Sequence, residues 1–199
     1  MRSLDAIVYD AEIVKAIQGR GEELRPGVEY CGGWGDYAGM GVAVVCCIDL
    51  RDGRPRVFLA DNLDEFAQLA ASRGHIIGFN SQMFDDKLLA ARGFPIATTY
   101  DVKVEVFAAL GQSLKSYKGS RSLDRLAAAN LGAGKEMSGA MAPVLWQRGE
   151  HGKVIDYCMA DVFKVVQLLE LPKLIDPVTG RPFTLRPIET ERQPDLLVA

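Results

Sequence analysis

The chain has 199 residues, 48% of them hydrophobic and 25% charged, with a net charge of −3. That suffices for one core and makes one domain the default, and the slight acidity excludes a protein that holds nucleic acid through overall positive charge. No apolar run approaches bilayer-spanning length, no basic-then-apolar signal segment opens the chain, and Cys31, Cys46, Cys47 and Cys158 form no Cys-x-x-Cys pair. The expectation is a cytoplasmic protein with reduced thiols, no structural zinc and no membrane partner.

The first element is the apolar run Ala6-Ile7-Val8-Tyr9, a strand ending in Asp10-Ala11-Glu12. Residues i and i+2 of a strand share a face, so Asp10 and Glu12 project together and Ala11 points away. Adjacent carboxylates repel unless a cation joins them or one holds a proton, and hard divalent ions take such oxygen ligands. Alone, the pair reads as a strand running into a solvated acidic turn; carboxylates on later elements change that reading. A glycine-rich passage from Gln18 to Gly35 follows, with Tyr30, Trp34 and Tyr37 in or beside it. These aromatics read as packing on the core edge, with a base-stacking surface as the alternative.

Residues 41–50 form a continuous apolar run, a buried strand. Asp52-Gly53 signals a tight turn and residues 56–60 the returning strand. Asp61 or Asn62 caps a helix through Ala71 with Leu63, Phe66, Ala67 and Leu69 on one face. His75 to Asn80 is a short strand ending at a turn, and Ser81 to Arg92 a helix carrying Phe84-Asp85-Asp86. Thr98 to Asp101 reads as another strand end, followed by a helix through Leu110. Lys115, Lys118 and Arg121 cluster in a Gly/Ser-rich connection, read as a solvated loop or as phosphate contacts. Ser122 or Asp124 opens a helix to Leu131. Residues 149–171 are helical, with Ile155, Met159, Val162, Val166 and Leu169 as the inner stripe, and Tyr157 and Asp161 stand one turn apart on it. The domain is expected over residues 1–175. Residues 176–199 read as an extended tail, laid across the domain or mobile.

Strands in hairpin succession, then alternating helices and short strands, make a mixed α/β sheet flanked by helices. Asp10, Glu12, Asp85 and Asp161 come from three separate elements of it. With Val8-Tyr9-Asp10-Ala11-Glu12, Asn80 before Phe84-Asp85, and Tyr157-Cys-Met-Ala-Asp161, the sequence resembles the DEDD 3′→5′ exonucleases of the ribonuclease H-like fold, in the branch with a tyrosine in the third motif. The likeness runs from about residue 4 to residue 171. The segment from Lys118 to Gly132 is similar to that between the second and third motifs in proofreading domains of family B DNA polymerases. Two departures stand out: Ile13 occupies a place where the family commonly has Thr, and Gln18 to Tyr30 matches nothing in the pattern.

The resemblance implies a ribonuclease H-like fold and metal-dependent hydrolysis of phosphodiester bonds from a 3′ end, releasing nucleoside 5′-monophosphates. It makes Asp10, Glu12, Asp85 and Asp161 ligands of two divalent ions, Mg²⁺ or Mn²⁺, with Asp85 favoured over Asp86. Tyr157, too weak a base on its own, would orient the attacking water. Asn80 either orders its turn or holds substrate. The implied partner is nucleic acid with a 3′ end, DNA before RNA, together with a separate polymerase or repair protein. Two rivals stay open: an inactive nucleic-acid-binding accessory protein of the same fold, and a small-nucleotide phosphohydrolase.

Overall fold

The computed structural model describes residues 4–114, 121–132 and 138–189. At its centre is a five-stranded sheet in the order β3-β2-β1-β4-β5, built from β1 (Ala6–Ile13), β2 (Val42–Asp49), β3 (Arg54–Phe58), β4 (His75–Gly78) and β5 (Tyr100–Asp101). β1 pairs antiparallel with β2, and β2 with β3, while β4 and β5 run parallel to β1. The sequence pattern anticipates each of these strands. β1 is central because apolar side chains fill both its faces, which a strand covered on both sides requires.

Those faces build separate cores. Ala6 and Val8 join Val44, Cys46 and Ile48 beneath the C-terminal helices. Ile7, Tyr9, Ala11 and Ile13 face the opposite way, onto Phe66, Leu88 and Leu89. The second side is covered by α1 (Tyr37–Met40), α2 (Leu63–Ala71) and α3 (Asp85–Ala90); the first by α4 (Val102–Ala109), α5 (Leu123–Leu131), α6 (Ala142–Gln147) and α7 (His151–Glu170). Asp10 and Glu12 continue the alternation of Ala6 and Val8, so they emerge on the α7 side.

Three local readings are corrected. The helix expected over Ser81–Arg92 is a 3₁₀ turn at Ser81–Met83 and then α3, broken at Phe84, where φ −132° and ψ −70° leave the helical region. The buried stripe of α7 is Val154, Cys158, Val162, Val165 and Leu168. Ile155, Met159, Val166 and Leu169 flank it, because small Cys158 rather than Ile155 faces β1. Asn62 turns back to accept from the Leu59 N–H at 2.7 Å instead of capping α2.

The segment after residue 175 is folded onto the domain as far as Glu189. β6 (Leu174–Ile175) pairs with β7 (Pro182–Phe183), Phe183 enters the core, and the Tyr100 hydroxyl donates to the Arg186 carbonyl at 2.6 Å. Arg121 holds this segment: its guanidinium forms a two-pronged ion pair with Asp176, at 2.8 Å on each prong, and both residues are buried. Among the described residues no helix is long and apolar enough to cross a membrane.

Candidate active site

A cleft of about 490 Å³ opens where the end of β1 meets the start of α3 and the flank of α7. Asp10, Glu12, Asp85, Asn80 and Tyr157 line it, and Phe79, Phe84 and Trp34 give it apolar walls. Asp161 stands one helical turn beyond Tyr157, within electrostatic reach of both β1 carboxylates.

Each side chain has a local reason for its place. β4 ends at Gly78, where a Cβ would meet the Ser81 hydroxyl at 2.3 Å, so only glycine lets the chain fold back this tightly. Asn80 then takes a left-handed conformation, φ 66°, which Asn tolerates better than most residues. The turn is pinned by Asp101, whose carboxylate accepts from the N–H groups of Asn80 at 2.8 Å and Gln82 at 3.1 Å. It also caps α4 through the Lys103 N–H at 3.0 Å. The break at Phe84 makes Asp85 the first residue of α3, buried against β1.

That placement separates two adjacent aspartates. Asp86 faces the second core, accepting from the Tyr9 hydroxyl, from Thr98 Oγ1 at 2.7 Å and from the Thr98 N–H at 2.9 Å. Asp85 faces the cleft. Successive helical residues are about 100° apart, so one aspartate serves packing and the other the site.

The four carboxylates disturb one another. Burial pushes the Asp10 carboxyl well above its ordinary range, and Asp85, Glu12 and Asp161 push it further. Glu12 is raised well up by burial, then by Asp161 and Asp85. Burial lifts Asp85 to about 8, with Asp86 and Asp101 adding to it. Asp161 is raised by burial, against the opposing pull of Lys164. Buried Lys164 donates to Asp161 at 2.7 Å and to Asp124 at 3.3 Å. Burial and the surrounding anions also raise the Tyr157 hydroxyl, which therefore keeps its proton at neutral pH.

The donor set, carboxylate oxygens with no thiolate or imidazole among them, suits a hard divalent ion. A cation among these groups would relieve the repulsion that raises them. Among the described residues no group of three or more His, Cys, Asp or Glu side chains is arranged to hold a metal ion. The chemistry of the donor set fits such ions.

No family model matches the sequence, and no curated protein does. Among solved structures, the chain is similar to the family B DNA polymerase from the hyperthermophilic archaeon Pyrobaculum calidifontis, with 16% identity and a TM-score of 0.52. The match covers 89% of this chain and 26% of that one, so the chain spans about a quarter of the polymerase's length. With the strand order above, this decides the architecture. The fold is ribonuclease H-like.

The sequence-derived residues thus divide. Asp10, Glu12, Asp85, Asn80 and Tyr157 meet in one cleft, with Asp161 beside it. Asn80 Oδ1 accepts from the Lys103 ammonium at 2.9 Å, which leaves its amide NH₂ for a ligand. Arg121 is not a free phosphate contact: it is spent on Asp176. Lys115 and Lys118 lie outside the described residues. Sequence reasoning missed Lys164 and Asp101. A lysine three residues beyond Asp161, amid an apolar helical face, was the available signal for Lys164, since an unpaired buried lysine is costly.

Proposed function

We propose that this chain is a metal-dependent 3′→5′ exonuclease acting on single-stranded or frayed nucleic acid, DNA before RNA, and releasing nucleoside 5′-monophosphates. The observation that carries the proposal is the meeting of Asp10, Glu12 and Asp85 with Tyr157 in one cleft, Asp161 one turn away. Three short sequence motifs named those residues, and the polymerase-like fold supports the same reading.

Asp10, Glu12, Asp85 and Asp161 would hold two divalent ions, Mg²⁺ or Mn²⁺. Such ions supply an activated water and neutralise charge developing on a phosphodiester. The chain's own residues do the rest. Tyr157, kept protonated, donates a hydrogen bond and so orients an oxygen; its raised pKa removes it as a general base. The Asn80 amide, fixed by its left-handed turn and by Lys103, offers N–H donors to the strand's backbone. Lys164 sets the position and charge of Asp161 and makes no contact with the cleft's other carboxylates.

The test is incubation with 5′-labelled single-stranded DNA and RNA, in Mn²⁺ or EDTA, beside an Asp10→Ala control. A ladder shortening from the 3′ end, requiring Mn²⁺ and absent in the control, is expected. Binding without cleavage would favour the inactive accessory protein. Neither binding nor cleavage of any strand would leave the small-nucleotide phosphohydrolase.

A further inference from the structure

Part of the passage between β1 and β2, Gln18 to Tyr30, matches nothing in the resemblance that names the acidic residues, yet the passage is firmly built. Its base is closed by a bridge between Ala16 and Tyr30, with the Ala16 N–H donating to the Glu29 carbonyl and the Cys31 N–H to the Ala16 carbonyl, each at 3.0 Å. Gln147 of α6 fastens it from beneath. The amide donates to the carbonyls of Val14 at 2.8 Å and Glu29 at 3.0 Å, and accepts from the Glu29 N–H at 2.6 Å. At the tip, Asp36 accepts from the N–H groups of Gly32 at 2.7 Å and Gly39 at 2.9 Å, across a turn that Gly33 makes possible with φ 116°.

All this rigidity presents one side chain. Trp34 stands at the mouth of the acidic cleft and is 69% exposed, while Phe84 meets it ring to edge at 6.2 Å. Tyr37 also meets Phe84 ring to edge at 6.0 Å and donates to the Met83 carbonyl at 3.2 Å. With that exposure at least one face of the indole is open to water. The passage supplies Ile17 and Trp34 to the cleft lining and no Lys or Arg, so its contribution there is apolar and aromatic, without a charge. A pre-positioned, uncharged aromatic beside a phosphodiester-directed acidic site is suited to a nucleobase, because every base offers a π-face.

We propose that Trp34 is a base-stacking platform for the strand held at the cleft, supplied by the β1–β2 loop and tolerant of base identity. The inference rests on the nuclease reading above. Stacking, not charge, then supplies this chain's grip on the bases, and the acidic cluster with its ions supplies the grip on the phosphate.

The test uses the full chain in Mn²⁺ with a short dT strand joined by phosphorothioate links, so that it resists cutting, and the same backbone without bases. Fluorescence anisotropy of a labelled strand should show Trp34→Ala weakening dT binding roughly tenfold, with Trp34→Phe keeping most of it. The base-free strand should bind the wild type and Trp34→Ala alike. Trp34 and Trp146 are the chain's two tryptophans. In a Trp146→Phe background, the strand should therefore quench the remaining emission saturably. If dT binds equally well to wild type and Trp34→Ala, without quenching, stacking is refuted while the nuclease reading stands. If no strand binds the wild type at all, both fall.

Discussion

At the scale of single residues, the two neighbours Asp85 and Asp86 show how one element serves two ends. Asp86 satisfies Tyr9 and Thr98 inside the second core, so Asp86→Ala leaves donors stranded and should cost about 2 kcal/mol of stability. Asp85 is a buried carboxyl among other anions, and Asp85→Asn should leave metal-free stability unchanged or raised while abolishing cleavage. Urea denaturation of both variants, read beside the strand assay, checks the contrast; a destabilised Asp85→Asn would contradict it. The sequence makes both candidates visible, yet it does not separate them by periodicity. Their division depends on the backbone break at Phe84, a local departure that no hydrophobic pattern encodes. Asp10 and Glu12 were legible because strand alternation alone fixes their common face.

At the scale of elements, strands β1 to β4 follow from apolar runs bounded by turn signals, and the long α7 from helical spacing, though its buried stripe differs from the one that spacing suggests. α6 does not: it is short, and its Pro143 reads as a breaker although proline is well placed in the first turn of a helix. β6 and β7, of two residues each, carry no pattern to read. α6 matters through Gln147, which joins three backbone groups of the β1–β2 loop. Gln147→Ala should cost about 1 kcal/mol or slightly more, since its partners reach water once the loop lifts. The larger effect should be local opening. Limited proteolysis should cut within residues 17–35 faster than in the wild type, with Trp34→Ala unaffected. Equal cutting rates would show that the loop is held by other means.

At the scale of the whole molecule, the fold is a five-stranded sheet with a core on each face, and the C-terminal segment through Glu189, with its two-stranded β6–β7 ribbon, packs onto it. Arg121, a residue that reads as a solvated loop cation or a phosphate contact, instead closes the structure on Asp176. The Arg121 guanidinium, aided by the Thr179 hydroxyl and the Val178 N–H, holds the Asp176 carboxyl down at about 2. An unfolded aspartate titrates near 4, so the native state takes up this proton only at lower pH. The stabilisation is therefore complete above pH ~4 and is lost as pH falls from there through about 2. Denaturation midpoints should drop across that window in the wild type and fall less in Asp176→Asn. Arg121→Ala, which strands a buried carboxylate, should cost roughly 3 kcal/mol at neutral pH. A loop cation engaged only by solvent would cost almost nothing.

On the proposed function, the four mutually repelling carboxylates become a divalent-metal site when a cation joins them. Calorimetric titration with Mn²⁺ tests it without any assumption about substrate. Binding of two ions per chain is expected, lost in an Asp10→Asn/Glu12→Gln double variant that still folds, and retained in Asp86→Asn. A wild-type chain that takes up no Mn²⁺ at millimolar concentrations, or binds it equally well without Asp10 and Glu12, would overturn the two-metal reading of the cleft.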